Sequence, residues 1–207
     1  MPLQRIALEP DNFYHIYNRG IDGCQIFKET TNYEHFLSLY DKYISPIAET
    51  YAWVLMGNHF HLLVRIKSNP GNIPNPEGFK NLRGLKMTVE KRITQQFSNL
   101  FNAYTKAFNK KYERTRSLFE HTFRRKQIDN NEYLRQVILY IHNNPVHHGF
   151  CEHPVEYPWS SYLTCISVKP TKLHREAVIG WFHSEANFKT KHGEKYETDK
   201  MDEWLGL

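Results

Sequence analysis

The sequence predicts an α+β fold: an antiparallel sheet of four to five strands, helices packed mainly on one face, and a C-terminal extension. Two observations predict it. Short aromatic and β-branched runs bounded by turn residues alternate with longer runs of helical period, in the order β-α-β-β-α-β-α. The two middle strands are joined only by Gly57-Asn58, a link short enough to make them an antiparallel hairpin. The first six elements follow the split βαβ, ferredoxin-like order.

Residues 13–17, FYHIY, form the first strand, and Asn18-Arg19-Gly20 closes it with turn chemistry. Residues 31–44 form a helix capped by Thr31 or Asn32, with Phe36, Leu39, Tyr40 and Tyr43 at helical spacing. The hairpin strands are YAWVLM (51–56) and HFHLLVRI (59–66). Residues 68–84 are rich in Pro, Gly and Asn and read as a long loop. In the helix that follows, about 86–109, Ile93, Phe97, Leu100, Phe101, Tyr104 and Phe108 make one apolar stripe. Residues 117–128 read as the fourth strand. Asp129, Asn130 and Asn131 offer caps for a last core helix that runs to about Asn143 and is ended by Pro145. HPVEYPWSSYL reads as an extended strap, and residues beyond it as a short helical segment with a charged end. The domain boundaries read from this are 1–165 for the core and 166–207 for the extension.

At 207 residues the chain is long enough for one domain with an appendage, and 13 Phe and 13 Tyr supply a packed core. No run of about 18 apolar residues suggests a membrane span, and the start lacks a charged-then-apolar leader. Cys24, Cys151 and Cys165 are odd in number and lack paired spacing, so a reducing cytoplasm is the expected setting. The net charge is only +5, yet residues 85–126 hold eleven Lys and Arg against three Glu. That basic zone suits a polyanionic partner as well as a solvated helix face.

Chemistry concentrates in two places. His59 and His61 stand two apart in an apolar strand, so both leave the same face with Cα atoms roughly 6.5–7 Å apart. They can meet one metal ion while Phe60, Leu62, Val64 and Ile66 enter a core. The pair alone fits a solvated strand face equally well. In the last core helix, Leu134, Val137, Ile138 and Ile141 make the buried stripe, with Tyr133, Tyr140 and Asn144 on a neighbouring one. Tyr140 and Asn144 are i and i+4 and project together. A phenol is a weak nucleophile near pH 7 and needs a nearby cation to attack phosphorus. Asn144 can complete a metal shell begun by the histidines. Tyr133 competes as nucleophile, but its i+4 neighbour is Val137, which cannot ligate.

Four segments together carry a resemblance: FYHIYNRG, YAWVLMGNHFHLLV, LFEHTFRRKQID and YIHNNPVHHG, with PVEYPWSSY trailing. From about residue 12 to 162 the chain resembles the single-tyrosine HUH transposases, most closely the REP-associated tyrosine transposase branch. The resemblance implies a ferredoxin-like fold acting on single-stranded, often hairpin-forming DNA. By position, it makes His59, His61 and Asn144 the metal ligands, for Mg²⁺ or Mn²⁺, and Tyr140 the nucleophile. In related mobile-element transposases the third ligand is usually Gln, one methylene longer than Asn.

The implied activity is metal-dependent DNA cleavage and strand transfer through a 5′-phosphotyrosine intermediate. Lys86, Lys91, Arg92, Arg124 and Arg125 would hold phosphates, and Tyr112 would stack on unpaired bases. Both a homodimer and a monomer fit: related enzymes exchange their tyrosine helices, while the REP-associated branch can act alone. Other readings of the same residues are a nicking or replication-initiator endonuclease, a nucleic-acid-binding module that has lost catalysis, and a metallohydrolase using water.

Overall fold

The computed structural model describes residues 6–70, 87–120, 122–194 and 201. Four antiparallel strands, β1 (Phe13–Arg19), β2 (Ala48–Met56), β3 (His59–Ile66) and β4 (Arg124–Ile128), form one sheet in the order β2-β3-β1-β4. The register is set at the centre, where β1 pairs Tyr17 with His61 of β3 on one side and with Arg124 of β4 on the other. The hairpin turn is Gly57-Asn58, as its two residues predict, and β2 carries one bulge between Thr50 and Ala52. The long loop read at 68–84 falls mostly outside the described residues.

Helices α1 (Thr30–Tyr43) and α2 (Val89–Lys111) cover one face together. Every residue of the apolar stripe read along α2 is buried there. Phe60 is the contact between sheet and helices. It is fully buried, with ring centroids of Phe36 and Phe101 each at 5.3 Å and Phe119 at 6.1 Å. Burial of such rings is worth roughly 1.5–3 kcal/mol each.

The opposite face is also covered. Helix α3 (Asn131–His147) follows the split βαβ unit, and its apolar stripe of Leu134, Val137, Ile138 and Ile141 packs on Val54, Met56 and Leu63. The two helices of the split βαβ unit share one face, and because α1 and α2 already fill it, α3 has only the second on which to bury its stripe. The short helix α4 (Tyr162–Cys165) and helices α5 (Arg175–Trp181) and α6 (Glu185–Gly193) extend this second core through Tyr162, Val178, Phe182 and Phe188. The strap before α4 lies along β2: Leu55 N–H donates to Trp159 O and Ser161 N–H to Trp53 O, each at 2.9 Å. These bonds occupy an edge that would otherwise be open to pairing.

Several element boundaries differ from those the sequence suggests: β1 runs on to Arg19, β2 starts at Ala48, α2 spans Val89–Lys111, and three others have a local cause. Helix α1 starts one residue earlier, at Thr30, with Glu29 as its N-cap and Asn32 Oδ1 accepting from the Glu29 N–H. Strand β4 begins only at Arg124, because Leu118, Phe119 and Phe123 all turn into the first core and do not alternate. Helix α3 does not stop at Pro145. Proline removes one backbone N–H but leaves the later ones in place, and His148 N–H still reaches Asn144 O at 3.0 Å. The stop is Gly149, at φ 71°. Its N–H bonds Val146 O at 2.9 Å and that of Phe150 bonds Pro145 O at 2.9 Å, which is a Schellman ending.

A buried polar chain ties α3 to α6 and to the strap. The Phe188 carbonyl can only accept, so His192 donates to it from Nδ1 at 2.7 Å. His192 Nε2 then accepts from His142 Nδ1 at 2.9 Å, and His142 Nε2 accepts the Ser161 hydroxyl at 2.8 Å. Ser161 Oγ in turn accepts the Trp53 N–H at 2.8 Å. Every proton has one place. Ser161→Ala leaves both a ring nitrogen and a backbone N–H without partners, so a stability loss of about 2–4 kcal/mol is expected in urea denaturation.

Burial holds His192 down to about 4 and His142 well below the usual imidazole range. Both are neutral in the fold, whereas in the unfolded chain they take up protons below about pH 6.5. Their contribution is therefore complete above pH 6.5 and is lost as pH falls toward 4. The predicted slope is roughly 1 kcal/mol per pH unit for each histidine, read from denaturation midpoints across that range.

Candidate active site

Strand β3 serves two cores at once. Its even-numbered residues enter the α1–α2 side, and His59 and His61 emerge on the α3 side. Across the sheet, His59 stands between Met56 and Arg19, and His61 between Val54 and Tyr17. Helix α3 lies over them and brings Tyr140 and Asn144 down onto the pair. Asn144 Oδ1 is 2.8 Å from His59 Nε2, and the Tyr140 ring stands edge-on to His61 with centroids 5.2 Å apart. The two imidazole rings are 5.2 Å apart and nearly perpendicular. Residues 85 positions apart thus meet in a single chain.

The donor set suits a divalent cation. Burial lowers His59 to about 4 and His61 well below the usual range, so both are neutral, the form that ligates. His59 faces amide oxygens at both ring nitrogens: Asn58 Oδ1 at 2.7 Å from Nδ1 and Asn144 Oδ1 at 2.8 Å from Nε2. A neutral imidazole has one N–H and can satisfy only one of them. With the proton on Nδ1, the lone pairs of His59 Nε2 and Asn144 Oδ1 converge. Their separation is close to the roughly 3 Å between adjacent donors of an octahedral ion with bonds of about 2.1 Å. Among the described residues, no three His, Cys, Asp or Glu are grouped to hold a metal ion. The ring of His148 is 5.1 Å from that of His59.

The pair opens into a cavity of about 750 Å³ whose wall includes Tyr17, Arg19, Asn58, Arg124, Tyr140 and Phe150. Of the basic residues singled out in the sequence that are among the described residues, only Arg124 lines it. Adjacent strand residues face opposite ways, so Arg125 points to the other layer, where it bonds Thr94 Oγ1 at 3.0 Å and lies over the Phe123 ring. Lys91 and Arg92 sit at the start of α2, also on that other layer. Tyr112 is away from the cavity: its hydroxyl donates to Glu29 at 2.6 Å, and Lys28 lies 4.5 Å over its ring. Lys86 lies outside the described residues. Tyr133 is at the first turn of α3, two turns from Tyr140.

Several residues of this site were not singled out by the sequence. His15 and Tyr17 alternate on β1 as His59 and His61 do on β3, and they stack beside His61 at 5.0 and 5.8 Å. The HIY pattern was a usable signal. Burial raises the Tyr17 phenol, while Arg124 beside it acts in the opposite sense. Arg19 follows from the same alternation. Gly20 permits the close return of the chain behind it, since a Cβ there would meet the Cys24 carbonyl oxygen at 2.1 Å. Phe150 is 61 % exposed at the cavity wall, set there by the helix ending at Gly149.

No protein-family model matches the sequence, and no curated protein matches it. Among solved structures the chain is similar to that of a REP-associated tyrosine transposase bound to a REP hairpin. The TM-score is 0.56 at 18 % identity, covering 82 % of this chain and 88 % of that one. At that identity the likeness is one of fold.

Proposed function

We propose that this chain is a metal-dependent enzyme that cleaves and rejoins single-stranded DNA, of the single-tyrosine HUH transposase type, with Tyr140 as nucleophile. The observation that carries it is the apposition across two distant segments: Tyr140 and Asn144, one helical turn apart, lie directly on His59 and His61. A likeness in fold to a transposase bound to a DNA hairpin supports the reading. His59 Nε2, His61 Nε2 and Asn144 Oδ1 would hold Mg²⁺ or Mn²⁺, which when bound supplies Lewis-acid polarisation of the scissile phosphate.

The rest is the work of this chain's own groups. Tyr140 Oη attacks phosphorus in line, the P–O3′ bond breaks, and the phenol proton passes overall to the departing 3′-oxygen. A 5′-phosphotyrosine and a free 3′-OH result. Attack by a DNA 3′-OH reverses each change and restores Tyr140, so phosphodiester bonds are conserved without a nucleotide cofactor. Arg124 and Arg19 stand on the cavity wall to meet phosphate, and exposed Phe150 offers a face for an unpaired base, the role first assigned to Tyr112. In this arrangement Tyr140 and Asn144 lie on the histidine pair of their own chain. Three unbridged cysteines accord with a cytoplasmic setting. No helix among the described residues is long and apolar enough to cross a membrane.

Incubation with labelled hairpin-bearing single-stranded DNA and Mn²⁺ should give a covalent protein–DNA adduct. Tyr140→Phe should abolish the adduct and lower cleavage by on the order of 10³–10⁶-fold. Cleavage that persists in Tyr140→Phe would instead indicate water as nucleophile, and tight binding without adduct or product would indicate a binding module. The two neighbouring arginines separate by face. Arg124→Ala should weaken single-stranded DNA binding and reduce its salt slope by about one. Arg125→Ala should leave that slope alone and lower stability by about 1 kcal/mol, through the lost bond to Thr94.

A further inference from the structure

The two histidines are backed in the same way. Each places Nδ1 within hydrogen-bond distance of a neighbouring side-chain atom. For His59 that atom is Asn58 Oδ1 at 2.7 Å, and for His61 it is His15 Nε2 at 3.0 Å. His15 is fully buried and packs beside both Tyr17 and His61, with ring centroids 4.9 and 5.0 Å away. Its other nitrogen, Nδ1, is buried without a hydrogen-bond partner.

Proton counting gives this arrangement a direction. His61 can present an Nε2 lone pair to a cation only if its single proton sits on Nδ1. That proton points at His15 Nε2, which must then be the acceptor. The proton of His15 is thereby sent to Nδ1, the atom that meets nothing. A buried orphan N–H is unfavourable, and a smaller apolar residue would avoid it. The orphan persists where a ring acceptor behind His61 has a use.

We propose that His15 is a positioning residue: it fixes the tautomer and ring orientation of His61 so that Nε2 faces the cation, as Asn58 does for His59. The proposal rests on the reading of His59 and His61 as ligands of a divalent cation. Groups behind a metal-bound histidine typically change metal affinity by 10–100-fold when removed.

The test uses the full chain without DNA. Mn²⁺ binding is measured by calorimetry for the wild type, His15→Phe and His15→Gln, with thermal midpoints recorded alongside. His15→Phe keeps a flat buried ring and removes the acceptor, whereas His15→Gln returns one. His15→Phe should bind Mn²⁺ about 10–100-fold more weakly, and His15→Gln should recover to within about fivefold of the wild type. Equal affinity in a folded His15→Phe overturns the role of His15 and leaves the cation site standing. Equal loss in both variants assigns His15 to packing and also overturns it. Absence of Mn²⁺ binding in the wild type removes the cation site and this role together. Should His15→Phe not fold, ¹⁵N–¹H imidazole correlations of the Mg²⁺-loaded wild type decide: the His61 proton is expected on Nδ1, and a proton on Nε2 overturns the proposal.

Discussion

The alternation of side chains along β3 is the constraint from which the molecule is built. One residue in two goes into the core beneath α1 and α2, anchored by Phe60 among Phe36, Phe101 and Phe119. The remainder are delivered to the opposite face at fixed spacing. A slip of one residue would exchange the faces and bury His59 and His61 among phenylalanines while sending Phe60 into the cavity. The hydrophobic core and the candidate site are therefore held by the same register. Packing energy on one face supplies positional accuracy on the other.

Delivery of the second half of the site depends on how α3 is seated. Its apolar stripe places it on β2 and β3, and the chain through His142, Ser161 and His192 fixes it further. That chain reaches into α6, so the extension beyond residue 165 packs against the helix that carries Tyr140 and Asn144. The segment read as an appendage in the sequence is part of what the tyrosine helix rests on. Schellman geometry at Gly149 then ends the helix beside the cavity and turns Phe150 outward.

His15, His61, His142 and His192 are buried, and each is kept neutral by burial and given a partner. In the relay below α6 every proton is accounted for by a hydrogen bond. Around His61 the accounting leaves one nitrogen of His15 over. The difference separates a polar network that closes on itself from one that borders an open cavity.

Local pattern determined a good deal. Periodicity marked all four strands and the three long helices, and the two-residue link fixed the hairpin, because these are properties of neighbouring residues. The same alternation identified His59 and His61 as a pair, and the i, i+4 rule paired Tyr140 with Asn144. What sequence could not decide was which surfaces meet. Adjacent arginines at 124 and 125 look alike in one dimension, yet the pleat sends one to the cavity and the other to Thr94. Tyr112 reads as an exposed ring until Glu29 and Lys28 are seen to occupy it. Only the tertiary structure set α3 on the α3-facing side of β3, put Asn144 2.8 Å from His59 and placed His15 behind His61. Those distances arise between residues tens of positions apart, and they are set by how two packed layers share one sheet.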